Sequence, residues 1–448
     1  IVGQLRPEIT EARVHEDMNL KKKSFAGSWE GRFGTEEYEA VMACRKDVAL
    51  TIDWENGKSD TMSAAEIYKL IFDSHTPWML SSNGTIFTHE FEGVIPGILK
   101  RWYAERKELQ AQLKKAKEAG NDIEVAFWDK RQLVKKINLN SLYGAILNPG
   151  CRFFDKRIGQ STTLSGRTIV KHMSAEVNKV ITGEYDHVGK AVIYGDTDSV
   201  YFSAYPVLKD QIDAGKIPWT KENVITLYDQ VAEEANTTFE KFMAKAFHCP
   251  KSRAEVIAAG REIVAESGLY ITKKRYAALV YDIEGFRTDA DGPGKVKAMG
   301  LDLRRSDTPV FMQEFLSEIL LMVLQGQEEK DILERITDFR REFKERPGWE
   351  KGSPKRANKI GHYQRLEQKQ GKANMPGHVR ASINWNTLKR MNGDKYSQEI
   401  VDGMKVIVCK LKQNPLGYTS VAYPTDELRI PDWFKELPFD DDAMEETI

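Results

Sequence analysis

The spacing of apolar residues changes more than once along the 448 residues. Over residues 1–90, short apolar runs such as 48–52 are broken by Gly and Asn, an irregular and mixed pattern with little chemistry in it. Ser81-Ser82-Asn83-Gly84 before Thr85-Ile86-Phe87 reads as a hairpin turn. From Val94 the period becomes helical, with Ile95, Ile98, Leu99, Trp102, Tyr103, Leu109 and Leu113 separated by Lys, Arg and Glu. Pro96 suits the first turn of that helix, where its missing N–H goes unused. Gly120-Asn121-Asp122 is a stop followed by a cap. Val125, Phe127, Leu133, Val134, Ile137, Leu142 and Tyr143 then continue helically until Asn148-Pro149-Gly150. Two long helices on so tight a turn predict an antiparallel helical hairpin.

Residues 160–190 read as another helix. Ala191-Val192-Ile193 and Val200-Tyr201-Phe202 then flank Tyr194-Gly195-Asp196-Thr197-Asp198-Ser199, a strand, an acidic turn and a strand. Residues 222–247 are helical in pattern, and 268–287 read as strands carrying Lys273-Lys274-Arg275-Tyr276. Helices follow over 311–325 and 332–343, then a polar, Gly- and Lys-rich stretch over 346–373. The acidic tail, 440–446, reads as mobile. No internal repeat is visible.

Composition narrows the classes. At roughly 150 residues per domain, the length suggests two or three domains. Lys and Arg total 66 against 67 Asp and Glu, a net charge of -1 that excludes a uniformly basic coat protein but not a local basic channel. Cys44, Cys151, Cys249 and Cys409 form no C-x-x-C pair, so neither a disulfide framework nor a cysteine-rich zinc module is expected, and a reducing cytoplasm is the expected location. No window approaches the roughly 18 apolar residues of a membrane span, so a soluble chain without a membrane partner is expected. The sequence starts at Ile1 rather than Met, which keeps a fragment or a processed product in view.

Two patterns carry chemistry. Carboxylates one residue apart on a hairpin tip, Asp196 and Asp198, can project toward a common cation, as phosphoryl transfer with two Mg²⁺ ions requires. A solvated turn is the plain alternative for such a pair. Apolar strands on both sides argue for carboxylates held against a buried sheet. Lys136, Asn140 and Tyr143 share one face of the second hairpin helix, a cation, an amide and a ring suited to a triphosphate, a sugar edge and a base plane. An ordinary solvated face explains the spacing equally well. Gly144 inside the helix costs about 1 kcal/mol and points to close approach of another group.

These residues carry a resemblance. Lys136-Ile137-Asn138-Leu139-Asn140-Ser141-Leu142-Tyr143-Gly144 resembles the fingers motif of family B DNA polymerases, and Tyr194 to Ser199 resembles their palm motif. Lys273-Lys274-Arg275-Tyr276, then Lys297-Ala298-Met299-Gly300-Leu301 and Arg305-Ser306, resemble the primer-template contacts in the family's order. Ser82-Asn83-Gly84 and Gly93-Val94-Ile95-Pro96 leading to Arg106-Lys107-Glu108 resemble the approach to the fingers. Arg356-Ala357-Asn358 and Gly377-His378-Val379-Arg380 match the thumb less closely. The flavour is that of replicative polymerases of large tailed bacteriophages.

The resemblance implies an α+β fold of right-hand polymerase type, with an antiparallel palm sheet, two-helix fingers and a mostly helical thumb. It places a palm-associated segment at 1–92, the fingers hairpin at 93–147, the palm with its acidic hairpin and primer-contact strands at 148–308, and the thumb at 309–448. By the same resemblance, Asp198 and Asp196 are the catalytic carboxylates on two Mg²⁺ ions, with Asp196 the less direct ligand. Arg106, Lys136 and Asn140 grip a dNTP, and Tyr143 with Gly144 packs against the nascent base pair. Lys273, Lys274, Arg275 and Tyr276 hold the primer end of primer-template DNA, and Lys297 and Arg305 meet backbone phosphates. Glu255 and Glu262 are weaker candidates for a further palm carboxylate. Gln110 stands four residues after Arg106, where phage relatives tend to have Lys.

One departure is larger. The family takes a metal-binding Asp from an earlier motif, just before Ser-Leu-Tyr-Pro-Ser, and the only Ser-Leu-Tyr of this sequence, at Ser141, belongs to the fingers motif. Ile1-Val2-Gly3-Gln4-Leu5 resembles the sequence that follows the missing motif. The exonuclease motifs are absent too, since Asp282-Ile283-Glu284 merely continues the primer-contact strand. The expectation is therefore the C-terminal part of a split polymerase, with an N-terminal polypeptide supplying the first palm Asp and the exonuclease, and with a sliding clamp among the candidate partners. A cut in a longer chain is the alternative. A non-catalytic DNA-binding or processivity subunit is the alternative function, which the retained Asp196, Asp198, Lys136 and Asn140 oppose.

Overall fold

The computed structural model describes residues 1–6, 49–63, 66–67, 69–371 and 374–446; Cys44, Ala373, Ile448 and much of the predicted 1–92 segment lie outside them. By its internal contacts the chain falls into two units, Ile1–Arg261 and Glu262–Ile448.

In the first unit, the described residues of the stretch that reads as irregular contribute a five-stranded antiparallel sheet. Its strands β1 (Gly3–Leu5), β2 (Ala49–Trp54), β3 (Ser59–Ser63), β4 (Trp78–Leu80) and β5 (Thr85–Thr88) lie in the order β3-β2-β1-β5-β4. Each strand is too short to show a period on its own. What unites them is Leu5, Leu50, Ile52, Leu80 and Ile86, buried on one side. The β4–β5 turn is the hairpin turn expected at 81–84. Gly84 has φ +80°, and a Cβ there would sit 2.9 Å from the Leu5 Cβ, so only glycine fits.

The helical hairpin follows as α1 (Val94–Glu118) and α2 (Asp122–Ile146). The Asn121 side chain caps α2 by accepting the Glu124 N–H at 3.2 Å, with Asp122 and Glu124 complementing the helix dipole. Helix α3 (Lys156–Thr182) is capped by Asp155, which accepts the Arg157 N–H at 2.8 Å. It is the spine of the unit, packing on β5, on the strands β6 (Val192–Asp196) and β7 (Ser199–Phe202), and on the long helix α5 (Lys221–Phe247). Helices α4 (Tyr205–Asp213) and α6 (Lys251–Ala254) are shorter. Toward the β4–β5 turn, α3 presents hydroxyls instead of methyls. Ser82 Oγ lies 3.1 Å from Thr168 Oγ1, and Ser161 Oγ donates to Asn83 Oδ1 at 2.8 Å, so these buried groups satisfy one another.

In the second unit, β9 (Arg275–Ile283) is the centre of an antiparallel sheet, with β8 (Ile263–Thr272) on one side and β10 (Phe286–Arg287) and β11 (Lys295–Met299) on the other. The helices α7 (Val310–Leu324) and α8 (Glu329–Glu345) match the expected helical runs. The region expected to be mostly helical also contains a three-stranded sheet, β12 (Ser353–Arg356), β13 (Lys405–Lys410) and β14 (Ser420–Pro424). Around it lie α9 (Ile360–Gln370), α10 (Gly377–Met391) and the short α11 (Asp432–Lys435), over a core that includes Trp385, Phe343, Val406 and Phe434. The acidic tail is not a loose end: it forms a helix, α12 (Asp441–Glu445), capped by Asp440, with Met444 buried and Asp441 2.9 Å from the buried Lys351 ammonium. Met444 supplies apolar burial that a count of charges does not register. The fold is thus α+β with antiparallel sheets. Among the described residues no helix is long and apolar enough to cross a membrane.

Candidate metal and nucleotide site

The acidic turn is a two-residue hairpin loop. Asp196 pairs with Ser199, and Thr197 and Asp198 form the tip. Thr197 has φ +55°, uncommon for a β-branched residue, and such a conformation persists only where the surroundings enforce it. Here the Asp196 carbonyl accepts both the Asp198 N–H at 2.6 Å and the Ser199 hydroxyl at 3.1 Å, while Thr197 Oγ1 donates to Asp196 Oδ1 at 3.1 Å. Asp198 is exposed at the tip and Asp196 half-buried beneath it.

Among the described residues the expected buried sheet around these carboxylates is not seen. Among the described residues β6 and β7 pair only with each other, and Ile193 is 51% exposed. Apolar side chains alternate between the two faces of a strand, so α3, covering one face, leaves the other open. As donors the two carboxylates suit Mg²⁺, which prefers hard oxygen. Among the described residues no third Asp, Glu, His or Cys joins them, so the pair provides part of a coordination shell. Glu255 stands exposed at the end of α6, and Glu262 is engaged by Lys297.

On α2, Lys136 and Asn140 are exposed and Tyr143 is half-buried. Among the described residues no group outside its own helix approaches Gly144, where a Cβ would meet no atom within 4 Å, so the backbone is open to whatever comes to that face. Arg106 reaches this stripe from α1. Its Nε donates to Gln132 Oε1 at 3.3 Å, and Gln132 Nε2 donates to Asp129 Oδ1 at 3.0 Å. Sequence reasoning missed Gln132, although it lies one turn before Lys136 and extends the same stripe. Lys135 and Glu105 form a second bridge across the hairpin.

In the second unit, Lys273 and Lys274 form the tight turn between β8 and β9, exposed together with Arg275; Lys274 has φ +63°. Gly300 passes this turn so closely that a Cβ would lie 2.1 Å from the Lys274 carbonyl oxygen. That contact explains the glycine of Met299-Gly300-Leu301. Tyr276 differs from its neighbours, since it is 6% exposed and stacks on Tyr270 with centroids 5.6 Å apart. Lys297 Nζ lies 3.0 Å from Glu262. Arg305 is bound by Asp307 and Asp302, and Lys355 joins at Asp307. Lys355 and Arg305 hold the Asp307 carboxyl down to about 2.

The model of DNA polymerase family B matches residues 62–346, well over half of the chain, and the chain belongs to that family. It is similar to the DNA-directed DNA polymerase of Escherichia phage RB69, 29% identical over 304 residues that cover 66% of this chain and 33% of the relative. The corresponding enzyme of Enterobacteria phage T4 is 28% identical over 310 residues, with the same two coverages. Among solved structures, the family B DNA polymerase of Pyrobaculum calidifontis matches 82% of this chain and 39% of its own at 19% identity and a TM-score of 0.46. The chain spans about a third of the length of the phage relatives.

Proposed function

We propose that this chain is the part of a template-directed DNA polymerase that carries out nucleotide transfer, joining a dNTP to a primer 3′ hydroxyl on primer-template DNA. The observation that carries this reading is the acidic turn itself, with Asp198 exposed beside Asp196 in the same unit as the Arg106, Lys136 and Asn140 stripe. Asp198, with Asp196, would hold Mg²⁺, which when bound lowers the pKa of the attacking hydroxyl and offsets charge on the leaving pyrophosphate. Lys136 and Arg106 bind the triphosphate, Asn140 supports that grip, and Tyr143 and Gly144 offer a flat, open surface to the base pair. Catalysis by these residues is positioning and electrostatics.

In this reading 93–147 are the fingers, 148–308 the palm and 309–448 the thumb, with 1–92 attached to the palm. Lys273, Lys274, Arg275, Lys297 and Arg305 hold DNA by its phosphates, and Tyr276, buried beside Arg275 on β9, braces the turn that carries Lys273 and Lys274. Two Mg²⁺ ions need another carboxylate, which comes from a polypeptide segment outside the 448 residues that also carries the exonuclease. A sliding clamp completes the partners, and the setting is cytoplasmic.

Primer extension by the chain with and without a polypeptide bearing that carboxylate tests this. Incorporation only in the combination supports the reading. DNA binding without incorporation in either case indicates a non-catalytic subunit, and robust synthesis by the 448 residues alone removes the need for an outside carboxylate.

A further inference from the structure

Asp307 binds two cations at once. Arg305 clasps both of its oxygens, Nε to Oδ1 at 3.0 Å and Nη2 to Oδ2 at 3.1 Å, and Lys355 on β12 donates to Oδ2 at 2.9 Å. All three side chains reach solvent and line, with Arg275, a groove of about 520 Å³ within the second unit. A planar fork and an ammonium converging on two oxygens of one anion is also a donor set that a phosphodiester takes. The motif reading assigns Arg275 and Arg305 to DNA; nothing in it assigns Lys355 or Asp307.

We propose that Arg305 and Lys355 form a phosphate-binding pair for the DNA backbone, and that Asp307 is its resident counter-ion, displaced when a DNA phosphate arrives. This rests on the polymerase reading and deepens it, adding Lys355 as a DNA ligand and Asp307 as an internal competitor. Exposed ion pairs contribute little in water, so exchanging one anion for another here costs little. Phosphates also arrive in series along a backbone whose released counter-ions favour binding. Because Asp307 stays ionised far below neutrality, protonation does not relieve the competition at working pH. If Asp307 were only a staple between the loop at 302–308 and β12, removing it would loosen the groove and weaken DNA binding. The two roles predict opposite signs.

The test is fluorescence anisotropy of a primer-template duplex with the full chain over a range of salt. Asp307→Asn is expected to tighten binding about three- to five-fold, the scale of one exposed ion pair, and to steepen the salt dependence. Lys355→Gln is expected to weaken binding and reduce the salt slope by about 1, and the double variant to lose the gain of Asp307→Asn. Equal or weaker binding by Asp307→Asn at an unchanged melting temperature overturns the proposal. If that variant melts early, Lys355→Gln decides, since Asp307 still holds Arg305 there, and unchanged affinity and slope overturn it. Lys274→Ala separates the two levels. Weakened binding there with no response at 307 and 355 refutes this pair alone, whereas no response at any of the three positions refutes DNA binding by this unit as well.

Discussion

Asp198 donates its backbone N–H to the carbonyl of Asp196 at 2.6 Å, so two carboxylates leave the chain from a single tight turn whose first residue, Thr197, has positive φ. Three hydrogen bonds within the turn hold that conformation, and Asp198 stands exposed at the tip. A turn selected only for solubility has no need of a β-branched residue there, since Gly or Asn adopts the left-handed region at lower cost.

In the proposed reading the cations of the helical hairpin act on the nucleotide, and Lys136→Ala tests this. A charge-assisted contact to phosphate contributes about 1.5–3 kcal/mol, so kcat/KM for dNTP should fall roughly ten-fold or more, with DNA affinity retained. Steady-state extension at varied dNTP reads this directly, and an unchanged kcat/KM would return Lys136 to an ordinary solvated surface.

The join between hairpin and spine is sterically tight. A Cβ on Gly159 would lie 1.9 Å from Leu147 Cδ2 and 2.7 Å from its Cγ, where α3 begins beneath the end of α2. Gly159→Ala is expected to destabilise the protein by about 1–3 kcal/mol, as overpacking does. Denaturant unfolding measures it, and the double variant Gly159→Ala with Leu147→Ala should recover part of the loss.

His172 is buried neutral in the first unit. Its ring lies face to face with Phe242, centroids 4.0 Å apart, with Nδ1 2.9 Å from the Tyr185 hydroxyl and Nε2 2.9 Å from Thr238 Oγ1. Burial first, and then the Lys179 charge, push its pKa down to about 3 from an ordinary 6.5. The unfolded chain therefore takes up a proton between those values that the folded chain does not, and stability declines as pH falls from about 6.5 toward 3. One proton corresponds to at most about 1.4 kcal/mol per pH unit. His172→Gln, compared with the parent by urea unfolding at several pH values, should remove that one-proton component; identical pH slopes would contradict the assignment.

The parts of this account that depend on local spacing were legible in the sequence. The hairpin α1–α2, its cap at Asn121, the acidic turn and the helices α5, α7 and α8 stand where the pattern puts them, whereas the helix read over 160–190 starts at Lys156 and stops at Thr182, where Gly183 takes a left-handed conformation. The sheet of the first unit was not legible, because its order sets β1 between β2 and β5 from distant parts of the chain, and no strand exceeds six residues. Lys355 was hidden for the same reason: its partner Asp307 lies 48 residues away. Tyr276 shares a tetrapeptide with three exposed cations, yet its side chain turns into the sheet, because alternate residues of a strand face opposite sides. Asp440 to Glu446 shows the converse error, a run of charge that conceals one buried methionine.

The most direct test of the central claim is single-nucleotide incorporation on a primer-template by the polymerase assembled with its outside carboxylate, comparing the parent with Asp198→Ala and measuring DNA affinity on the same samples. The account predicts that Asp198→Ala abolishes incorporation while DNA affinity stays within about two-fold, because the exposed carboxylate binds metal and not DNA. Incorporation by Asp198→Ala at a rate near that of the parent would contradict it.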